Sequence, residues 1–475
     1  MENDEGVLRK LGYAQDLLRE MGGFSSFAVS FSIISVLTGC ITTYGDALGP
    51  GGPAGVGIGW PLVSFGTLAV AVAMAELASA FPTAGALYHW SSLLGGPGWG
   101  WFTAIMNLVG QIAIVGAIDL GCAKELSGML GLAGDRAASA VFLLVLASHV
   151  ALNALRVRVV ARLNDLSATV HILGVVVVVA ALVTIGKVQP FSFLFQTGFT
   201  TRTDGSYGLG FANALILSMY TFTGYDASAH LSEETKHPER KAPWGIVLSV
   251  AVSAVAGYAL LLGLTLAIAN LPQTAADEHP ALFILQRALG SLGGRSVMAL
   301  AIVAMWFCGL SSLTSASRTL WAFSRDGGLP LSTFLAHVHT KFRTPVRAIV
   351  ALALAAALLV LGTQVFSSGA LLVVAQVATM GLYVSYGIPI GLGAIARQQR
   401  RWVKLGPWNV GRAGVPLAWF SVAWVFGVLA VCTLPPNVLA GKLLAIALVV
   451  ISAIWLVWVR GRFQGPKVSL ETFQR

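Results

Sequence analysis

Two Thr-Gly pairs stand in the middle of apolar stretches, Thr38-Gly39 and Thr223-Gly224. The first is followed by Cys40 and Thr43, and the second is preceded by Tyr220, Thr221 and Phe222. Glycine costs about 1 kcal/mol relative to alanine inside a helix. Neighbouring hydroxyls can bond the backbone groups that a broken helix frees. In hydrocarbon such backbone is tolerated only where it lines a cavity or is buried in protein. Bare N–H groups at a half-helix N-terminus suit a carboxylate, and bare carbonyls suit an ammonium. The chemistry on offer is the capture of a small zwitterion. Its carboxylate is expected at Thr38, Gly39 and Cys40, and its amine at carbonyls around Tyr220, Thr221, Phe222, Thr223 and Gly224. Phe222 is the aromatic expected to cover the ligand as a gate.

Polar residues within apolar runs are few, and each is a functional candidate. Asn107 and Gln111 lie four apart and share one helix face. Asn164, Ser167 and His171 form a polar stripe. His171 suits proton exchange near neutral pH, and Ser311, Ser312 and Ser315 are candidate partners for it or for a sodium ion. Asp226 follows the second Thr-Gly pair and can take and release a proton. Glu76 is expected to pair with Arg318 or Arg325 and to steady a gate. Asp119 and Asp165 fall near span ends within reach of water. The cysteines Cys40, Cys122, Cys308 and Cys432 form no metal or disulfide spacing and read as packing residues. No second GxGD-type aspartate within a span accompanies Tyr225-Asp226, and no HExxH occurs, which argues against an intramembrane protease. No repeated filter motif argues for a channel.

The elements that position these groups follow from composition. The chain has 475 residues, 56% hydrophobic and 11% charged, with a mean hydropathy of +0.78. A soluble domain carries about 25% charged residues, so the bilayer is the main solvent. Apolar runs fall at 24–47, 57–81, 99–121, 138–155, 164–186, 208–231, 244–269, 296–322, 346–362, 369–395, 413–433 and 439–459. A short helix is expected at 281–290, and 82–98 is expected to stay close to the membrane. Of the 30 Lys and Arg residues, 23 fall on the side of the termini. Among these are Arg156 and, near the C-terminus, Lys467 and Arg475. Only Lys124, Arg136, Lys187, Arg202, Arg287, Arg295 and Lys442 fall on the other. By the positive-inside rule both termini are cytoplasmic, which accounts for the net charge of +10 without nucleic acid. The acidic and basic N-terminal segment, with Glu2 and Asp4, is no cleaved signal peptide.

Several motifs carry a resemblance. They are Glu76-Leu-Ala-Ser-Ala-Phe-Pro82, with Gly85 and Tyr88; Glu233-Glu-Thr-Lys-His-Pro-Glu-Arg240; and Ser317-Arg318, continuing to Arg325-Asp326 and Pro330. With Ser30-Phe-Ser-Ile-Ile-Ser35 and Asn107–Gln111, the chain resembles permeases of the amino acid/polyamine/organocation superfamily, in the amino acid/choline branch that includes GABA permeases. The resemblance implies an all-α membrane protein of LeuT-type fold. It has 12 transmembrane helices in a 5+5 inverted repeat plus two C-terminal helices, with helices 1 and 6 discontinuous. Its parts would be a cytoplasmic segment 1–23, repeats 24–186 and 208–395, the pair 413–459 and a cytoplasmic tail 460–475. In similar proton-coupled permeases a lysine on the fifth helix fills the place of a sodium ion; here that residue is His171. Similar permeases also often carry an acid where Asp226 stands.

The function implied is import of a small amino acid of the GABA type, with H⁺ rather than Na⁺ as coupling ion. The alternatives are a choline, polyamine or other organic amine permease, or an amino acid exchanger. No cofactor, metal, nucleic acid or obligate protein partner is implied. Membrane lipid is the expected surrounding, in a cell membrane (plasma or inner).

Overall fold

The computed structural model describes residues 4–470 except 11, 133, 156, 187, 198–205, 278, 367–368 and 467–468. Glu2, Arg156, Lys187, Arg202, Lys467 and Arg475, which the sequence reading uses, lie outside the described residues. The described chain is helical, with one isolated bridge between Met21 and Thr235. The first run is three helices: α1 (Gly23–Ile34), α2 (Val36–Thr42) and α3 (Tyr44–Gly57). Then come α4 (Gly59–Ala80), α5 (Ala86–Gly95), α6 (Pro97–Met129), α7 (Asp135–Asn153) and α8 (Val157–Ala181). The sixth run is α9 (Tyr207–Thr221) and α10 (Ala227–His230), and it leads to α11 (Pro238–Leu266). The rest are α12 (Pro280–Arg325), α13 (Val346–Phe366), α14 (Ala370–Gln398), α15 (Gly414–Thr433) and α16 (Val438–Ile454).

Among the described residues, eleven helices are long and apolar enough to cross a membrane. The sixth run falls short of that length because residues 222–226 interrupt it. The stretch 281–290 is helical as expected and joins the eighth run in α12, with a kink at Gly290 where φ is 76°. The basic-poor stretch after α4 forms the buried helix α5.

At the centre stands α6, packed on α14, α12 and α5. In contrast, α13, α15 and α16 present exposed apolar side chains such as Phe366, Phe426 and Val449, a surface suited to lipid.

Candidate functional site

Helix continuity fails where the first and sixth runs meet. Ser35 adopts φ 33°, and the N–H groups of Thr38 and Gly39 both turn to its carbonyl, at 2.8 and 3.0 Å. The break thus lies at Ser35, three residues before the expected turn. The N–H groups of Thr38, Gly39 and Cys40 belong to α2, so these residues offer the cavity the Thr38 hydroxyl instead. In the sixth run the Gly224 φ is 91°, and its N–H turns to the Tyr386 hydroxyl at 3.2 Å. Among the described residues, no backbone donor reaches the carbonyls of Thr221, Phe222 or Thr223. Ser30 ties the breaks together by donating to the Tyr225 carbonyl at 2.9 Å.

The two runs touch through their glycines. A Cβ on Gly39 would lie 2.1 Å from Thr221 Oγ1, and one on Gly224 would lie 2.1 Å from Ile33 Cγ2. Beside this contact is a void of about 10 Å³ lined by Thr38, Gly39, Tyr220, Thr221, Thr223 and Cys308. A void of this size holds about one water, so a larger ligand must widen it. A second cavity of about 180 Å³ lies beside it, lined by Thr38, Thr42, Asp46 and Tyr220 among others. It opens toward the end opposite the N-terminus, where Asp46 is exposed. Phe222 lines neither cavity. Its ring packs on Trp60 at 4.6 Å, in the scaffold, and Tyr220 takes the cavity position expected of the gate. Cys40 is buried and lines neither cavity.

Asp226 is the centre of a buried polar cluster. It accepts from Tyr386 at 2.8 Å and from Asn107 and Gln111 at 3.3 and 3.4 Å. The two amides therefore serve Asp226, and Asn107 also donates to Ser385 at 3.1 Å. His230 Nε2 lies 3.1 Å from the same carboxylate, and His230 Nδ1 lies 3.2 Å from the Ala84 carbonyl. Both ring nitrogens face acceptors, which a neutral imidazole cannot satisfy. The carboxylate and the imidazole therefore face each other across one buried hydrogen bond. Sequence reading missed His230 and Tyr386. The i, i+4 spacing of Asp226 and His230 was the available signal for the first.

His171 comes to the other break. Its Nδ1 donates to the Ser167 carbonyl at 2.8 Å, and its Nε2 meets Ser35 Oγ at 2.7 Å. The expected serine partners do not meet it. Ser311 donates to Asn164 at 2.7 Å, and Ser312 turns back to the Cys308 carbonyl. The hydroxyl of Ser315 has no partner among the described residues. Asp119, expected near water, is fully buried and pairs with buried His149 at 3.1 Å.

The end bearing the N-terminus is shut by ion pairs that the sequence reading assigned differently. Glu76 pairs with Arg397 at 2.8 Å, because α4 packs its end against α14. Arg318 instead pairs with Glu234 at 2.8 Å, and Arg325 grips Glu233 with two bonds of 2.9 Å. Glu233 also accepts from the Ala84 N–H, and Arg325 stacks over Tyr13. The N-terminal segment is laid across this end through Gln15 and Arg19, which donate to the carbonyls of Glu233, Ser232 and Thr235. Asp4, His237 and Glu239 approach one another at its partly exposed edge, where the Asp4 carboxylate accepts from the His237 backbone N–H at 3.0 Å.

Tyr13 donates to Asp326 at 2.7 Å, so His89 Nε2 donates to Tyr13, while His89 Nδ1 faces the Thr83 hydroxyl at 2.6 Å. Burial, aided by Arg325, pushes the His89 pKa down to about 3. Opening this end would let His89 take a proton at its usual 6.5. The shut state is thus fully favoured above pH 6.5 and weakens by about 1.4 kcal/mol per unit as pH falls toward 3. Amide protection factors across 82–95, which correct for the intrinsic pH dependence of exchange, should fall between pH 6.5 and 5 in the wild type and lose that dependence in His89→Gln.

The amino acid permease family model matches residues 21–459. The amino-acid permease BAT1 homolog of Oryza sativa subsp. japonica is 35% identical over 98% of this chain and 95% of its own length. The amino-acid permease BAT1 of Arabidopsis thaliana is 34% identical, over 98% and 96%. The GABA-specific permease of Saccharomyces cerevisiae is 28% identical, over 98% and 86%. Matches along nearly the whole length join the multi-pass helical fold to amino acid transport rather than enzymatic chemistry. The chain belongs to the amino acid permease family, within the amino acid/polyamine/organocation superfamily.

Proposed function

We propose that this permease imports a small zwitterionic amino acid of the GABA type, together with a proton, by alternating access. The observation that carries the reading is the meeting of two helix breaks, at Ser35 and at 222–226, beside a cavity at mid-chain depth. Broken helices at matching places in two halves mark an inverted-repeat transporter with its site between them. On this reading runs 1–5 and 6–10 are the two repeats of a LeuT-type fold, with two further helices. The GABA-specific permease among the relatives supports the substrate class.

The substrate carboxylate meets the Thr38 hydroxyl, and its ammonium meets the carbonyls of Thr221, Phe222 and Thr223. Both termini are cytoplasmic, so the shut end is the inner one and the open cavity faces outward in a cell membrane. Coupling is to H⁺: His171 occupies the place by the first break, and the Asp226–His230 pair stores one proton next to the second.

Purified protein in liposomes, given labelled GABA, other amino acids and organic amines under imposed H⁺ or Na⁺ gradients, tests the reading. Accumulation of a zwitterionic amino acid driven by an inward H⁺ gradient is expected. Transport of amines alone, or driving by Na⁺ alone, contradicts it. Asp226→Asn keeps the shape of the cluster but removes the shared proton's acceptor. It should cut gradient-driven uptake at least tenfold and flatten its pH profile, and an unaltered profile would make Asp226 a purely structural acid.

A further inference from the structure

Thr38, which lines both cavities, sits at the end of a hydrogen-bonded row that begins at His171. Each link has a fixed geometry. His171 Nδ1 faces the Ser167 carbonyl at 2.8 Å, an acceptor only, so Nδ1 carries a hydrogen. In the neutral ring Nε2 is then an acceptor and takes the Ser35 hydroxyl proton across 2.7 Å. Ser35 Oγ, having given its proton away, accepts from the Thr38 hydroxyl across 2.5 Å. With His171 neutral, the Thr38 proton therefore points away from the cavity.

Protonation reverses the row. A proton on Nε2 makes it a donor to Ser35 Oγ. Ser35 can then no longer give to the ring and turns its proton to Thr38 Oγ1. Thr38 in turn rotates its own proton off Ser35 and into the cavity. One proton is gained, all of it on the imidazole, and the hydroxyls only exchange partners. We propose that this His171–Ser35–Thr38 wire couples the proton to the substrate, by turning Thr38 into a hydrogen-bond donor for the substrate carboxylate only when His171 is charged. The inference rests on the carboxylate and proton assignments of the proposed function.

The surroundings leave the wire in control of His171. From α1 the ring meets the edge of Phe31 at 6.0 Å, and from its own helix Ser167. Asp165, on the same helix, takes Ser25. From α12 the thiol of Cys308 stands by Ser35 and gives its proton to the Ile33 carbonyl. No charged side chain among the described residues bonds to the imidazole, Ser35 or Thr38.

The test is binding of labelled GABA to the purified full chain as a function of pH. A donor to a charged group is worth about 1.5–3 kcal/mol, so wild-type affinity should rise about tenfold or more on His171 protonation. Ser35→Gly suits the φ of 33° at this position and cuts the wire. It should keep the weaker, high-pH affinity at every pH. Thr38→Val, which keeps shape without the hydroxyl, should lose the rise with falling pH whatever its absolute affinity, and Thr38→Ser should restore the rise. Thr38→Val also serves as the second cut should Ser35→Gly not fold. Butylamine, which has no carboxylate, should gain nothing from the proton.

A full tenfold rise retained in Ser35→Gly, or in Thr38→Val, overturns the wire. A wild type that binds GABA with no pH dependence also overturns it, and with it the proton coupling of the proposed function. A wild type that binds no amino acid overturns the substrate reading itself.

Discussion

Gly39→Leu will abolish substrate binding. Its Cβ alone would stand 2.1 Å from Thr221 Oγ1 and 2.7 Å from Thr221 Cβ and Cγ2. Because the Thr221 Cβ is itself in the way, no rotamer of Thr221 relieves the clash. The two broken runs must move apart at the point where their open backbone faces the ligand. Overpacking of this kind costs about 1–3 kcal/mol for a small excess. Gly39→Ala should therefore weaken binding about 10- to 100-fold, and the leucine should fill the void altogether. Thr221→Gly removes the opposing atoms, so Gly39→Ala with Thr221→Gly should recover part of the affinity. Equilibrium binding of labelled GABA reads all three variants. Wild-type affinity in Gly39→Leu would remove the site from the crossing of the two runs.

Arg325→Ala should unlatch the end that bears the N-terminus. Glu233 is fully buried, and its two bonds to Arg325 and one from the Ala84 N–H are its support. Removing one partner of a buried ion pair costs about 3–5 kcal/mol, because the other charge is stranded. The stacking of Arg325 on Tyr13 and Trp321 is lost as well. That penalty falls on the shut state alone, since opening lets Glu233 reach water. The shut population should drop by about two to three orders of magnitude relative to the open one. Amide exchange at 227–235 and 82–90 should rise sharply, and Glu233→Gln in the same chain should restore much of the protection. Unchanged exchange in Arg325→Ala would mean that the pair does not hold this end closed.

The position of most spans was legible in the sequence because hydropathy reports directly on the bilayer. The two interruptions were legible as Thr-Gly pairs, yet the first break lies at Ser35. A serine gives no compositional warning that it will take positive φ, whereas the glycine at 39 is needed for close approach to Thr221. Asn107, Gln111, His171 and Asp226 stood out because polar groups are costly in hydrocarbon. Their partners did not stand out. Whether Arg318 meets Glu76 or Glu234, and whether Phe222 covers a cavity or packs on Trp60, depends on helix rotation and crossing. A single run's periodicity carries no information on either. Tyr386 illustrates the same limit, since it joins Asp226 across 160 residues of chain.

Backbone amide exchange of the purified protein with and without GABA tests the central claim most directly. Ligand held between the two breaks should slow exchange in both 35–40 and 221–226, with the slowing lost in Gly39→Leu. Saturating GABA that leaves both segments exchanging at their free rates would contradict the account.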